Sequence, residues 1–346
     1  MNEIIQLVPA ETSPIPEIYR WGIEVIRVIQ RIENPFLTAL MKFITELGTE
    51  KFYVPLILVI FWWIDEKRGF RLGVLIIVSA WLNAFMKDVL KQPRPFILEP
   101  SLGLAYESTY GAPSGHAQMS LCFWLPIAAW CAQVWAAKSR SGKVRTQKQL
   151  LIWASAVLII LLMGFTRLYL GVHFPTDLFA GWLLAGVILA LMFFCGSFLK
   201  ECFAFIGLRG QNIFAAVIAL AMNGIFPGNG TLPALFLGFC TGYNLMKQRF
   251  PFFAGAEING KNPGVGVKLL RCFTGFAGMV IIFLAARLIF PGEGSLFGNL
   301  PFWSKASPFY DIGHFIRYGF LGFWASAGAP RMFQRMGLAS IPGGGE

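Results

Sequence analysis

The feature that most restricts this chain is the recurrence of long apolar runs along its length. They occupy residues 52–64, 70–90, 116–137, 150–170, 177–199, 211–227, 232–246, 268–290 and 309–328. A bilayer core of about 30 Å takes about 20 helical residues, fewer where flanking side chains snorkel. Backbone groups in hydrocarbon must find their partners within the segment, so such runs fold as helices. Composition points the same way, with 56% hydrophobic and only 14% charged residues. Soluble domains carry roughly a quarter charged residues. No strand pattern and no internal repeat stand out. The expected fold class is all-α, a polytopic membrane helix bundle.

The net charge of +11 could suggest a nucleic-acid partner. The basic residues, however, cluster in short loops between apolar runs, as the positive-inside rule expects. Nucleic acid is therefore excluded, and the bilayer with its anionic headgroups is the natural partner. Loop 138–149 holds Lys138, Arg140, Lys143, Arg145 and Lys148 without an acid, which marks it as cytoplasmic. Counting outward, 65–71, 200–210, 247–267 and the tail with Arg331 and Arg335 share that side. Loops 228–231 and 291–308 fall opposite, with Lys305 alone. The expected location is a multi-pass cell (inner) membrane protein. Residues 1–16 read as irregular and lack the basic-then-apolar start of a cleavable signal. Residues 17–33 alternate apolar and charged positions as an amphipathic helix at the interface does. A run at 35–47 is short for a span and could continue that helix through Pro35. Six cysteines lie in or beside apolar runs without metal-site spacings and read as small buried hydrophobes.

Three polar segments sit at the edges of these runs. The first is Lys87-Asp-Val-Leu-Lys-Gln-Pro-Arg94-Pro95, the second Pro113-Ser114-Gly115-His116, the third Thr166-Arg167-Leu-Tyr-Leu-Gly-Val-His173-Phe-Pro-Thr-Asp177. All three fall on the non-cytoplasmic (periplasmic or exterior) side. Positive-inside bias does not explain Lys87, Arg94 and Arg167 there, and cations at this depth are costly. An Arg fork suits bidentate contact with phosphate oxygens. Ser114 can cap the next helix, Gly115 lets a ligand approach the backbone, and free N–H groups at that end favour an anion. His116 in the first turn can reach the same anion. An imidazole nucleophile needs one nitrogen free and the other held by a carboxylate, which Asp177 can supply. A simple N-cap is the plainer reading of Asp177, and it can be both. Two of the chain's three histidines fall inside these segments.

In order and spacing, K-x6-R-P, P-S-G-H and R-x5-H-x3-D make the chain resemble the type 2 phosphatidic acid phosphatase (lipid phosphate phosphatase) superfamily. Thr166 stands where that family usually has Ser, and the hydroxyl is kept. The resemblance implies a six-helix phosphatase core over roughly residues 35–200; it does not reach residues 201–346, whose apolar runs read as about four additional C-terminal transmembrane helices. The corresponding division is 1–34 as interfacial segment, 35–200 as core and 201–346 as added helices. It implies His173 as nucleophile forming a phosphohistidine, Asp177 as its orienting carboxylate, and His116 as the acid for the leaving oxygen. Lys87, Arg94, Ser114, Gly115 and Arg167 would hold the phosphoryl oxygens. It implies no metal and no cofactor, and a lipid phosphate or diphosphate in the membrane as substrate. A soluble ester, as in the glucose-6-phosphatase branch, is the alternative substrate class. A lipid transporter or scaffold built on the added helices is the alternative of another kind. Membrane helices set the chain apart from vanadium haloperoxidases, which share the pocket.

Outside these segments, Asp311, His314 and Arg317 line up near the start of the last run and read as a cap with a structural histidine, with a second site or a lid over the first as the alternative. Gly238, Gly242, Gly275 and Gly278 suit tight helix packing or a homodimer through the C-terminal helices. Glu107 and Tyr110 could contact a headgroup or serve only the loop.

Overall fold

A computed structural model describes residues 15–138, 142–227, 230–258, 260–290 and 308–340. Residues 1–14 of the irregular segment expected at 1–16, most of loop 291–308, Asn229, Lys305, the centre of loop 138–149 and the last six residues lie outside the described residues. Among the described residues the structure is helical, with one isolated bridge between Ile258 and Lys261. The all-α expectation therefore holds. Five helices are long and apolar enough to cross a membrane, or six if the pair Pro35–Glu46 and Glu50–Ile64 forms one broken span.

Three details differ from the sequence reading. Pro35 does not continue the amphipathic helix but starts a new one. Asn34 caps it by accepting from the Leu37 N–H at 2.9 Å, and Pro35 sits at the first position, where a missing N–H costs nothing. The runs 177–199 and 211–227 lie in two helices within Pro175–Ile225 that meet at a kink at Gly207, with no longer loop between them. Gly207 has φ +62°, a left-handed value that a residue without Cβ adopts cheaply. The runs 232–246 and 309–328 are helical, as Thr231–Arg249 and Pro308–Phe323, the latter continuing through a π turn. Neither passes the length and hydropathy test for a span.

The chain folds as two compact units. The first takes residues 1–53 and 82–194, so it contains all three polar segments. Helices Gly115–Lys138 and Gly142–Tyr169 pair side by side in it. Gly164 meets Trp182 and Leu178, so the start of Pro175–Ile225 packs on the end of Gly142–Tyr169. Helix Glu17–Gln30 turns Gly22, Ile23 and Ile26 inward, onto Leu102 and Phe174. Its other face leaves Ile18, Trp21 and Val28 exposed.

The second unit takes residues 54–81 and 195–346. Its core gathers Phe61, Trp62, Phe239, Tyr243, Phe252 and Phe333. The C-terminal glycines are used here, inside the chain. Gly238 lies against Gly319, Gly242 against Phe323 and Ser326, Gly275 against Trp62, and Gly278 against Trp324. Backbones approach closely where Cβ is absent, which is how membrane helices gain packing contacts. Buried Arg271 donates to the carbonyls of Ala254 at 2.7 Å and Leu338 at 2.8 Å, stitching two loops together. The His314 ring lies between Tyr310 and Tyr318. Cys122, Cys240 and Cys272 are buried as expected, whereas Cys131 is exposed and Cys195 and Cys202 are half-buried; all are free thiols. An exposed thiol on an apolar helix still fits a lipid-facing surface.

Candidate active site

All eight residues singled out in the three segments lie in the first unit, and hydrogen bonds link most of them directly or through one neighbour. Helix Glu66–Leu90 ends one turn after Lys87, and Arg94 follows in extended backbone before Pro95. The Lys87 ammonium donates to the carbonyls of Tyr110 at 2.5 Å and Gly111 at 3.2 Å. An ammonium has three N–H bonds, so one donor remains. Buried Arg94 donates through Nε to the Thr109 carbonyl at 2.6 Å, through Nη1 to the Val172 carbonyl at 2.8 Å, and through Nη2 to the Thr109 hydroxyl at 2.9 Å. Its Nη2 also pairs with Glu107 Oε2 at 2.6 Å.

The second segment opens helix Gly115–Lys138. Asn83 braces the turn, donating to the Pro113 carbonyl at 3.2 Å and to Gln118 at 2.7 Å. A Cβ on Gly115 would come within 3.2 Å of Asn83 Oδ1, so the bare side of this glycine makes room for the brace. The Ser114 backbone N–H donates to the Asp177 carbonyl at 2.9 Å, tying the second segment to the third. The Ser114 hydroxyl is buried and without a partner, so it does not act as the expected side-chain cap. The His116 ring bonds the Thr45 backbone and leaves Nε2 without a partner.

In the third segment, Gly171 takes φ +67° against the Leu102 carbonyl, where any Cβ would clash. That bend presents His173 at the turn before Pro175. His173 Nδ1 sits 3.2 Å from Asp177 Oδ2, and the same oxygen accepts from the Phe174 N–H at 2.9 Å. Asp177 thus caps the turn and orients the imidazole at once. His173 Nε2 faces Arg94 Nη1 at 3.4 Å. Burial, and then the neighbouring cations of Arg94, Lys87 and Arg167, hold the His173 imidazole well below its usual range. It is therefore neutral at physiological pH, and a neutral ring with Nδ1–H held by a carboxylate keeps its lone pair on Nε2. Buried Arg167 donates to the Thr45 hydroxyl at 2.7 Å and pairs with Glu107, while its Nε has no partner.

Sequence reasoning missed Thr45 and Gly48. Thr45 touches His116 through its backbone and Arg167 through its hydroxyl. A Cβ on Gly48 would lie 2.6 Å from His116 Cδ2. The available signal was the polar break Thr45-Glu46-Leu47-Gly48-Thr49-Glu50 inside an otherwise apolar stretch. It also missed Asn83 and Thr109, whose roles depend on partners that sequence does not place beside them.

Ser114 Oγ and His116 Nε2 of the second segment and Arg167 Nε of the third are buried polar atoms without partners. Buried polar atoms are rarely left unpaired, and each costs about 1–3 kcal/mol. Arg167 Nε, the Ser114 hydroxyl and the spare Lys87 donor are donors that an anion's oxygens could take. Among the described residues no group of three or more His, Cys, Asp and Glu side chains is arranged to hold a metal ion.

Comparison with known proteins agrees with this chemistry. Residues 68–200 match the PAP2 superfamily, and residues 230–341 match the PAP2 superfamily phosphatase, transmembrane extension. Phosphatidylglycerophosphatase B of Bacillus subtilis is 30% identical over 155 residues, 44% of this chain and 71% of that protein. Undecaprenyl-diphosphatase of Sulfolobus acidocaldarius is 26% identical over 171 residues, 47% of this chain and 73% of that one. Sphingosine-1-phosphate phosphatase 2 of Mus musculus is 30% identical over 166 residues, 47% of this chain and 43% of that one. Among solved structures, a transmembrane PAP2-type phosphatidylglycerolphosphate phosphatase from Bacillus subtilis aligns with a TM-score of 0.41 at 23% identity, covering 55% of this chain and 90% of that one.

Proposed function

Because this chain belongs to the PAP2 superfamily and is a membrane-embedded phosphate ester hydrolase, we propose that it cleaves a lipid phosphate or diphosphate without a metal, through a phosphohistidine on His173. The observation that carries the reading is the His173 ring, with Nδ1 on Asp177 and Nε2 turned to Arg94. In this reading Arg94, Arg167, Lys87, Ser114 and the Gly115 backbone hold the non-bridging oxygens. His173 Nε2 attacks phosphorus in line, and the bond to the leaving oxygen breaks. His116 Nε2 gives that oxygen a proton, so it departs as a hydroxyl. His116 then takes a proton from water, which attacks phosphorus and releases inorganic phosphate and free His173. The fixed cations carry charge that grows on the equatorial oxygens, the term that usually contributes most in such sites.

A bilayer-borne substrate is supported by the surface next to the cluster. Val89 and Leu90, just past Lys87, and Phe179 and Leu183, just past Asp177, are exposed apolar side chains. A substrate with an acyl or prenyl tail can stay in lipid while its phosphate reaches the arginines. The catalytic core is assigned to 35–200, preceded by the interfacial segment 1–34, with 201–346 as the extension. A homodimer through the C-terminal helices would use faces other than Gly238, Gly242, Gly275 and Gly278, which are packed within the chain.

Two expected results test this reading. Purified protein in EDTA releases phosphate from lipid phosphates faster than from a soluble sugar phosphate; activity lost in EDTA and restored by Mg²⁺ contradicts it. The site faces away from the cytoplasm, into the periplasm or exterior. In a cysteine-free background, Ser108→Cys is then labelled by an impermeant maleimide on intact cells, and Gln147→Cys only after lysis. The reverse pattern contradicts the orientation drawn from the basic loops.

A further inference from the structure

We propose that Glu107 is the resident counter-anion of the phosphate site, and that a substrate phosphoryl group binds by exchanging with its carboxylate. This rests on the reading of Arg94 and Arg167 as phosphate donors. A guanidinium has five N–H bonds. On Arg94 all have a neighbour: the Thr109 carbonyl, the Val172 carbonyl, His173 Nε2, the Thr109 hydroxyl and Glu107. Arg167 gives its two terminal nitrogens to Thr45 and Glu107. Arg167 Nε has no partner and can take a phosphoryl oxygen directly, but Arg94 can engage one only by losing one of its partners.

Glu107 is the partner suited to leave. Its two oxygens each take a different arginine, so it bridges the pair as a phosphoryl group would. Its side chain is 31% exposed, against 2% and 3% for the two arginines. It sits in non-helical backbone between Gly103 and Ser114, where a rotamer change disturbs no helix. The remaining partners are backbone carbonyls, the buried Thr45 hydroxyl, the exposed Thr109 hydroxyl, whose own carbonyl already holds Arg94 Nε, and the His173 ring. Two guanidiniums this close repel each other, and removing a partner from a buried charge is strongly unfavourable. A carboxylate that returns as phosphate departs spares them that.

The exchange sets affinity and product release. If the carboxylate holds the arginines nine-tenths of the time, apparent phosphate affinity falls about tenfold, because only the free fraction binds. Inorganic phosphate, which otherwise would leave two arginines and Lys87 unpaired, is displaced by a side chain already tethered beside it. Glu107 is thus a specificity-determining and positioning residue, with no covalent role.

The test measures inhibition of lipid phosphate hydrolysis by inorganic phosphate, and the rise in thermal midpoint that phosphate gives, for wild type and Glu107→Gln. The amide keeps the size and removes the charge. Expected are a Ki for phosphate lower by about tenfold or more, a larger phosphate-induced rise in midpoint, and a kcat that falls together with KM. An unchanged or raised Ki overturns the proposal. Should Glu107→Gln fail to fold, Glu107→Asp, too short to span both arginines, must lower Ki in the same direction, and an unchanged Ki there overturns it equally. Wild type that releases phosphate yet shows no effect of either variant sinks only this inference. Wild type that releases none from any lipid phosphate sinks the functional reading and this with it.

Discussion

His173→Ala brings phosphate release from every substrate down to the background rate. The variant lacks the atom that bonds phosphorus, and neither His116, held through Thr45, nor Asp177, which is tied to the Phe174 N–H, can take its place. Removing a nucleophile from a serine protease costs on the order of 10⁶-fold in kcat, so the loss here should exceed the range of the assay. The fold should survive, because His173 makes one hydrogen bond to Asp177 and one contact with Arg94. Retained thermal stability with absent turnover separates chemistry from collapse. Asp177→Asn should slow all substrates too, by up to about 10⁴-fold, the cost of the same change behind the histidine of a catalytic triad. Turnover of His173→Ala within tenfold of wild type would remove the nucleophile from the scheme.

His116→Ala should split substrates by leaving group. A lipid alkoxide is a poor leaving group and needs a proton as the bond to phosphorus breaks. A nitrophenolate needs it far less. General acid catalysis contributes about 10²–10⁴-fold, and His116 Nε2 is the buried ring nitrogen without a protein partner. The variant should therefore lose most of that factor on a lipid phosphate and visibly less on p-nitrophenyl phosphate. Equal losses on both would make His116 a phosphate ligand, and the acid would lie elsewhere.

Much of this site is legible in sequence because its chemistry is local in type. Arg94 before Pro95, Ser114-Gly115-His116 at a helix start, and His173 four residues before Asp177 are short-range patterns that bring their own backbone geometry. The helices are legible for a different reason, since a bilayer imposes length and apolarity on every span. What stays hidden is set by contacts across long sequence separations. Thr45 meets Arg167 over 122 residues, and the polar break around Thr45 does not name that partner. The same holds for Asn83, whose partners begin 30 residues on. Ser114 reads as a cap from its position, yet its hydroxyl makes no such bond; helix-start statistics do not know that a buried cation cluster lies beside it. Residues 200–210 read as a loop between two spans, and the structure narrows that break to the non-helical Gly207, with helix on either side. Glu107 reads equally as a headgroup contact or a loop acid, and the structure puts both arginines on its carboxylate.

The phosphohistidine on His173 is the central claim, and rapid acid-free quench of the enzyme turning over a ³²P-labelled lipid phosphate in EDTA tests it most directly. The account predicts radiolabel on the protein that is stable in alkali and lost in acid, that maps to the peptide containing His173, and that is absent from His173→Ala. Steady turnover with no protein-bound label at any time, or label that persists in His173→Ala, would contradict it.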